Sequence, residues 1–116
     1  AQIPQIKAGV AWYGRLVGDK TPNSPLHPID LAAQMKAPVL GLYGSADVGI
    51  PVESVYQMKA ALAAAKNNKA AQAASFEIYA DAPHAFHADY RPTYREVPAK
   101  DGWAKCVAWF KQQGVV

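Results

Sequence analysis

A single cysteine in 116 residues has no partner within the chain, so an internal disulfide and a multi-cysteine zinc site are both excluded. Charge is sparse as well: 18% of the residues are Asp, Glu, Lys or Arg, twelve basic against nine acidic, for a net charge of +3. The cations are scattered, and only Lys66 and Lys69 sit close together, beside Asn67 and Asn68. A nucleic-acid partner would need a basic stripe or cluster, so none is expected. No stretch runs long enough without a charge or proline to cross a bilayer, and no membrane partner is expected. The opening residues, Ala1-Gln2-Ile3-Pro4-Gln5, have no leading methionine and neither the charged nor the apolar region of a signal peptide. The natural start is therefore expected upstream, and a cytoplasmic location is favoured over a periplasmic one. Apolar residues are not in short supply. At 51% hydrophobic and 10% aromatic, the chain can bury the core of one compact domain and is not a disordered segment.

Three apolar runs have the length of strands. Ala8-Gly9-Val10-Ala11-Trp12-Tyr13 is closed by Gly14, Val39-Leu40-Gly41-Leu42-Tyr43 lies between Pro38 and Gly44, and Phe76-Glu77-Ile78-Tyr79 ends before Asp81 and Pro83. The first two do not alternate with polar residues, as expected for strands covered on both faces of a parallel sheet. Helical spacing follows Pro51, at Val52, Val55, Met58 and Leu62, and follows Pro98, at Trp103, Cys106, Val107 and Phe110, with Gly114 as the cap. A weaker helical turn covers residues 29–35. The alanine-rich stretch 60–74 reads as a helix end plus a solvated linker. The order predicts an α/β fold of three parallel strands with flanking helices and right-handed crossovers.

In an open parallel sheet, ligands bind outside the carboxyl ends of the strands. The residues there are Trp12-Tyr13-Gly14-Arg15, Gly44-Ser45-Ala46-Asp47 and Asp81-Ala82-Pro83-His84. Asp47 and His84 can meet above that rim, where a carboxylate would fix the imidazole tautomer and stabilise the imidazolium. The plainer reading makes Asp47 a turn closer and His84 a loop histidine. Trp12 and Tyr13 suit core or pocket wall. His84, His87 and Asp89 supply at most three ligands, so no metal is expected. His27, in a proline-rich connection, reads as a loop hydrogen-bonder. Cys106 lies on an apolar helical stripe and is expected to be inert. Ser45 sits on no nucleophile elbow, and Ser24, Ser54 and Ser75 have no chemical context.

Gly44-Ser45-Ala46-Asp47-Val48-Gly49-Ile50-Pro51 resembles the acid loop of α/β-hydrolases, and Pro83-His84-Ala85-Phe86-His87-Ala88-Asp89-Tyr90-Arg91-Pro92 resembles the histidine loop of the dienelactone hydrolase family. Ala11-Trp12-Tyr13-Gly14, Pro25-Leu26-His27-Pro28, the stretch 38–44 and the stretch 102–110 extend the resemblance over nearly the whole chain. It implies a mainly parallel sheet with helices on both faces and a triad in the order nucleophile, acid, base, with Asp47 as acid and His84 as base. The family nucleophile, Cys or Ser, stands on a Gly-x-Cys-x-Gly or Gly-x-Ser-x-Gly elbow ahead of the strand that corresponds to 8–13. These 116 residues contain no such elbow. The chain therefore reads as the C-terminal portion of one α/β-hydrolase domain, with the nucleophile-bearing half absent. The implied activity is hydrolysis of a small ester or lactone, without a cofactor. Family members acting on dienelactone hold the substrate carboxylate with an arginine four residues after the histidine. That position is Ala88 in this chain, so Arg91 or Arg15 would have to replace it. The expected substrate-binding residues are Arg91, Tyr13 and Tyr90, with Tyr94 nearby. The expected partners are the substrate, the missing half and, through an exposed strand edge at 8–13, a second copy. Two alternatives stand beside this reading: a non-catalytic α/β binding or scaffold module, and a metal-dependent protein using His84 and His87.

Overall fold

Gly9–Trp12 (β1), Val39–Gly44 (β2) and Ser75–Tyr79 (β3) form one parallel sheet with β2 in the centre, in a computed structural model that describes residues 3–116. Val10 pairs with Leu40, and Leu42 pairs with Trp12 on one side and Glu77 on the other. The remaining elements are a 3-10 helix at Pro28–Gln34 and the α-helices Val52–Ala64 (α1), Lys69–Gln72 (α2) and Glu96–Gln112 (α3).

The unalternating sequence of β2 has the expected cause: from Leu40 to Gly44 the strand is buried on both faces. Leu40 and Leu42 enter a core with Ala82, Phe86 and Trp109, and Tyr43 enters a second core with Leu16, Met35, Val55, Met58 and Leu62. Val55, Met58 and Leu62 form the stripe seen in the sequence of α1. Each such side chain contributes about 1.5–3 kcal/mol by leaving water.

The structure corrects three of the sequence expectations. Helix α3 begins at Glu96, two residues before Pro98, because a proline in the first turn forfeits no intrahelical hydrogen bond. Its buried face is Ala99, Gly102, Cys106 and Trp109; Trp103, placed on the apolar stripe by spacing, is 56% exposed. The stretch 60–74 is no solvated linker. It contains α2, whose cap Asn68 accepts a hydrogen bond from Ala71 N and donates to the carbonyls of Ala33 and Met35. Gln72 Nε2 donates to the carbonyls of Leu62 and Ala65, so two polar side chains fasten this segment to its neighbours.

The Tyr43 hydroxyl donates to the Gly14 carbonyl at 2.9 Å, and burial pushes its phenol up to about 12 from the usual 10. The fold favours the neutral phenol, so the associated stability is complete below pH 10 and is lost as pH rises through about 12. Urea midpoints measured from pH 9 to 12 should fall by the equivalent of about 2 kcal/mol for this group. Tyr43→Phe should flatten that part of the curve; an unchanged slope would contradict the assignment.

Candidate active site

All three strands end at the same rim, and the turns after β2 and β3 are fastened together there. Ser45 N donates to the Tyr79 carbonyl at 2.9 Å, Ala46 N donates to the Ala82 carbonyl at 3.0 Å, and Asp81 N donates to Ser45 Oγ at 2.9 Å. This approach needs Gly44: a Cβ built there would lie 2.0 Å from the Ala82 carbonyl oxygen.

Asp47 hangs from this joint, with 2% of its side chain exposed. Its Oδ1 accepts from Gly49 N at 2.9 Å and Ile50 N at 3.0 Å, and its Oδ2 lies 2.7 Å from His84 Nδ1. Asp47 is thus both a turn closer and a partner of His84. Because a carboxylate only accepts, Nδ1 carries the proton, and Nε2 of the neutral ring keeps its lone pair. The His84 side chain is 51% exposed, so the pair has one buried member and one member open to a reactant. A pair of this kind can take a proton at Nε2 while the carboxylate steadies the resulting imidazolium.

The ring of Tyr13 meets the His84 ring edge-on, with centroids 5.0 Å apart. Burial raises the Tyr13 phenol above its ordinary value; Tyr90 adds to the rise and Arg91 opposes it. Tyr90 and Arg91 thus act on the same side chain that touches His84, and the Arg91 guanidinium stands 5.8 Å from the Tyr90 ring centre. Arg15 lies elsewhere, in the wall of an apolar groove of about 330 Å³ with Leu16, Leu26 and Met35. Among the described residues, the non-glycine residues at positive φ are Tyr13, Asp81 and Ala85, at 41°, 58° and 61°. All three belong to this rim. Such conformations cost about 1–3 kcal/mol each and persist only where surrounding contacts enforce them.

Those contacts are aromatic. Phe86, wholly buried, packs against Trp12, Tyr13 and Tyr79 at centroid distances of 6.1, 5.5 and 5.3 Å. Trp12 approaches α3 over Gly102, where a Cβ would meet its ring at 2.9 Å. Spacing gave no sign of this aromatic box; the available signal was two bulky rings, Phe86 and His87, inside a polar loop.

The other candidates have structural places. His87 is stacked between Trp12 and Trp103, and no group of three or more His, Cys, Asp or Glu among the described residues is arranged to hold a metal. His27 Nε2 donates to the Asp19 carbonyl. Cys106 is buried, which raises its thiol pKa and suppresses the thiolate. Ser45 Oγ accepts from Asp81 N, Ser54 Oγ donates to the Pro51 carbonyl, and Ser75 opens β3 at the far end of the sheet from His84.

The family model described as "Dienelactone hydrolase family" matches residues 1–114. The chain is 56% identical over 115 residues to a protein of Methylorubrum extorquens and 57% identical over 114 residues to one of Salmonella typhimurium, each named "Putative carboxymethylenebutenolidase". Those alignments cover 99% and 98% of this chain but 38% and 40% of the relatives. A solved structure described as a "Putative Dienelactone Hydrolase" from Klebsiella pneumoniae superposes with a TM-score of 0.87 at 54% identity, covering 95% of this chain and 44% of the other. The chain thus spans about two fifths of the length of the relatives it matches.

Proposed function

The chain belongs to the dienelactone hydrolase family, and from that premise we propose that it is the acid- and base-bearing part of a hydrolase acting on small esters or lactones. The observation that carries this reading is the 2.7 Å contact between buried Asp47 and open His84 at the carboxyl rim of the sheet. Names of the relatives, which describe butenolide-opening enzymes, favour a lactone. In this reading the nucleophile, a Cys or Ser, lies on polypeptide outside these 116 residues. His84 Nε2 takes the nucleophile's proton as that atom attacks the carbonyl, and Asp47 holds the charged ring. The proton passes to the departing oxygen. A water then gives His84 its own proton as it attacks the acyl-enzyme, and the nucleophile leaves reprotonated. Tyr13, Tyr90 and Arg91 line the substrate side, and Arg91 takes the role that Ala88 leaves open by pairing with a substrate carboxylate.

β1 has a neighbour on one side only among the described residues, and its free edge would take a strand of the same polypeptide or, in its absence, a second copy of the chain. Purified 1–116 is expected to give no ester turnover above the buffer rate. A longer reading frame with a Gly-x-Cys-x-Gly or Gly-x-Ser-x-Gly elbow should hydrolyse a butenolide or an activated ester, and lose that activity when the elbow nucleophile is replaced by alanine. Robust turnover by 1–116 alone would overturn the reading in favour of a nucleophile within it.

A further inference from the structure

His87 follows His84 by three residues, and its ring lies flat between two indoles from different elements. Trp12, at the end of β1, stacks on it with centroids 4.2 Å apart and planes 19° apart; Trp103, on α3, stacks on the other side at 6.0 Å and 10°. The slot uses the faces of the ring and neglects one of its nitrogens: His87 Nδ1 is buried with no hydrogen-bond partner among the described residues. A buried imidazole held for its polarity would ordinarily have that atom paired.

The turn between the two histidines leaves little freedom. Ala85 sits at φ 61° and Phe86 is wholly buried, so the backbone is pinned at Phe86 and again at His87. His84, by contrast, is half exposed and is held by one hydrogen bond and one ring edge. A displacement of about 1 Å in such a group is enough to cost on the order of 10²-fold in rate.

We propose that His87 is a positioning residue for His84: the Trp12–His87–Trp103 stack fixes the far end of the turn and so the direction from which His84 Nδ1 meets Asp47. The inference rests on the reading of His84 as the general base. What the stack requires of position 87 is a flat ring.

The test compares His87→Ala, His87→Phe and Trp103→Ala in the complete enzyme, with His84→Ala as reference. Steady-state kinetics are combined with the downfield proton resonance of the His84 Nδ1–H···Asp47 bond. His87→Ala should lower kcat by about 10- to 100-fold, change KM much less, and broaden or abolish the resonance. His87→Phe should restore both to near the parent. Trp103→Ala removes one face of the stack at an exposed position, so it serves if His87→Ala does not fold; a partial loss of kcat with a weakened resonance is expected. Parent-like kcat and resonance in a folded His87→Ala, or in Trp103→Ala should that be the only one to fold, would overturn the proposal, as would a His87→Phe enzyme as impaired as His87→Ala. Full activity of His84→Ala would instead remove the catalytic reading on which the inference stands.

Discussion

His84→Ala in the complete enzyme is expected to lower kcat by about 10²- to 10⁴-fold while leaving KM and thermal stability close to the parent. The loss falls on kcat because Nε2 is the group placed to move protons, and stability survives because the side chain is half exposed. Asp47→Asn gives the sharper form of the same result. Gly49 N and Ile50 N both donate to Oδ1, so they hold the amide oxygen of asparagine at that position and turn its NH2 toward His84. An NH2 group donates, which forces Nδ1 to accept and moves the ring proton to Nε2, the wrong atom for a base. The expected loss is again on the order of 10⁴-fold, in a protein whose fold is nearly unchanged. Retention of more than a tenth of the parent kcat by either variant would show that the pair is not catalytic.

Gly44→Ala should be the most damaging single methyl addition near the site. The new Cβ would lie 2.0 Å from the Ala82 carbonyl oxygen and 2.7 Å from its carbon; both are backbone atoms, so no rotamer change relieves the contact. Overpacking with no flexible neighbour costs about 3 kcal/mol or more, and the relief available is separation of the turn carrying Asp47 from the one carrying His84. Denaturant titration should therefore show either a large fall in midpoint or failure to fold. Gly49→Ala is the control, since its Cβ would meet Asp47 Oδ1 at an ordinary 3.5 Å. A Gly44→Ala protein as stable as the Gly49→Ala protein would contradict the stated geometry.

The strands and the Asp47–His84 contact were legible because each announces itself locally. Apolar runs end in turn residues, and a parallel sheet delivers whatever follows them to one rim. The buried face of α3 was not legible, since Ala99 and Gly102 carry little hydrophobic signal and Trp103 carries much while facing solvent. Small residues were selected there to admit Trp12, a partner distant in sequence. Asn68 was misread for a related reason: its amide serves carbonyls at Ala33 and Met35, and no local pattern reports a side chain that braces a remote backbone. The slot around His87 is likewise made by residues from both ends of the chain.

The hydrogen bonds between the turn at 45–47 and the turn at 79–82 have a mechanical consequence. Two residues that are 37 positions apart in sequence ride on one stiff joint, so the distance between acid and base is a constant of this body and not one of its adjustable coordinates. If the site must widen for a bulkier acyl group, the compliance has to come from the seam between this body and the segment that brings the nucleophile. Selection for altered substrate size would then accumulate changes along that seam and around the open face of His84, while the joint beneath Asp47 stayed as it is.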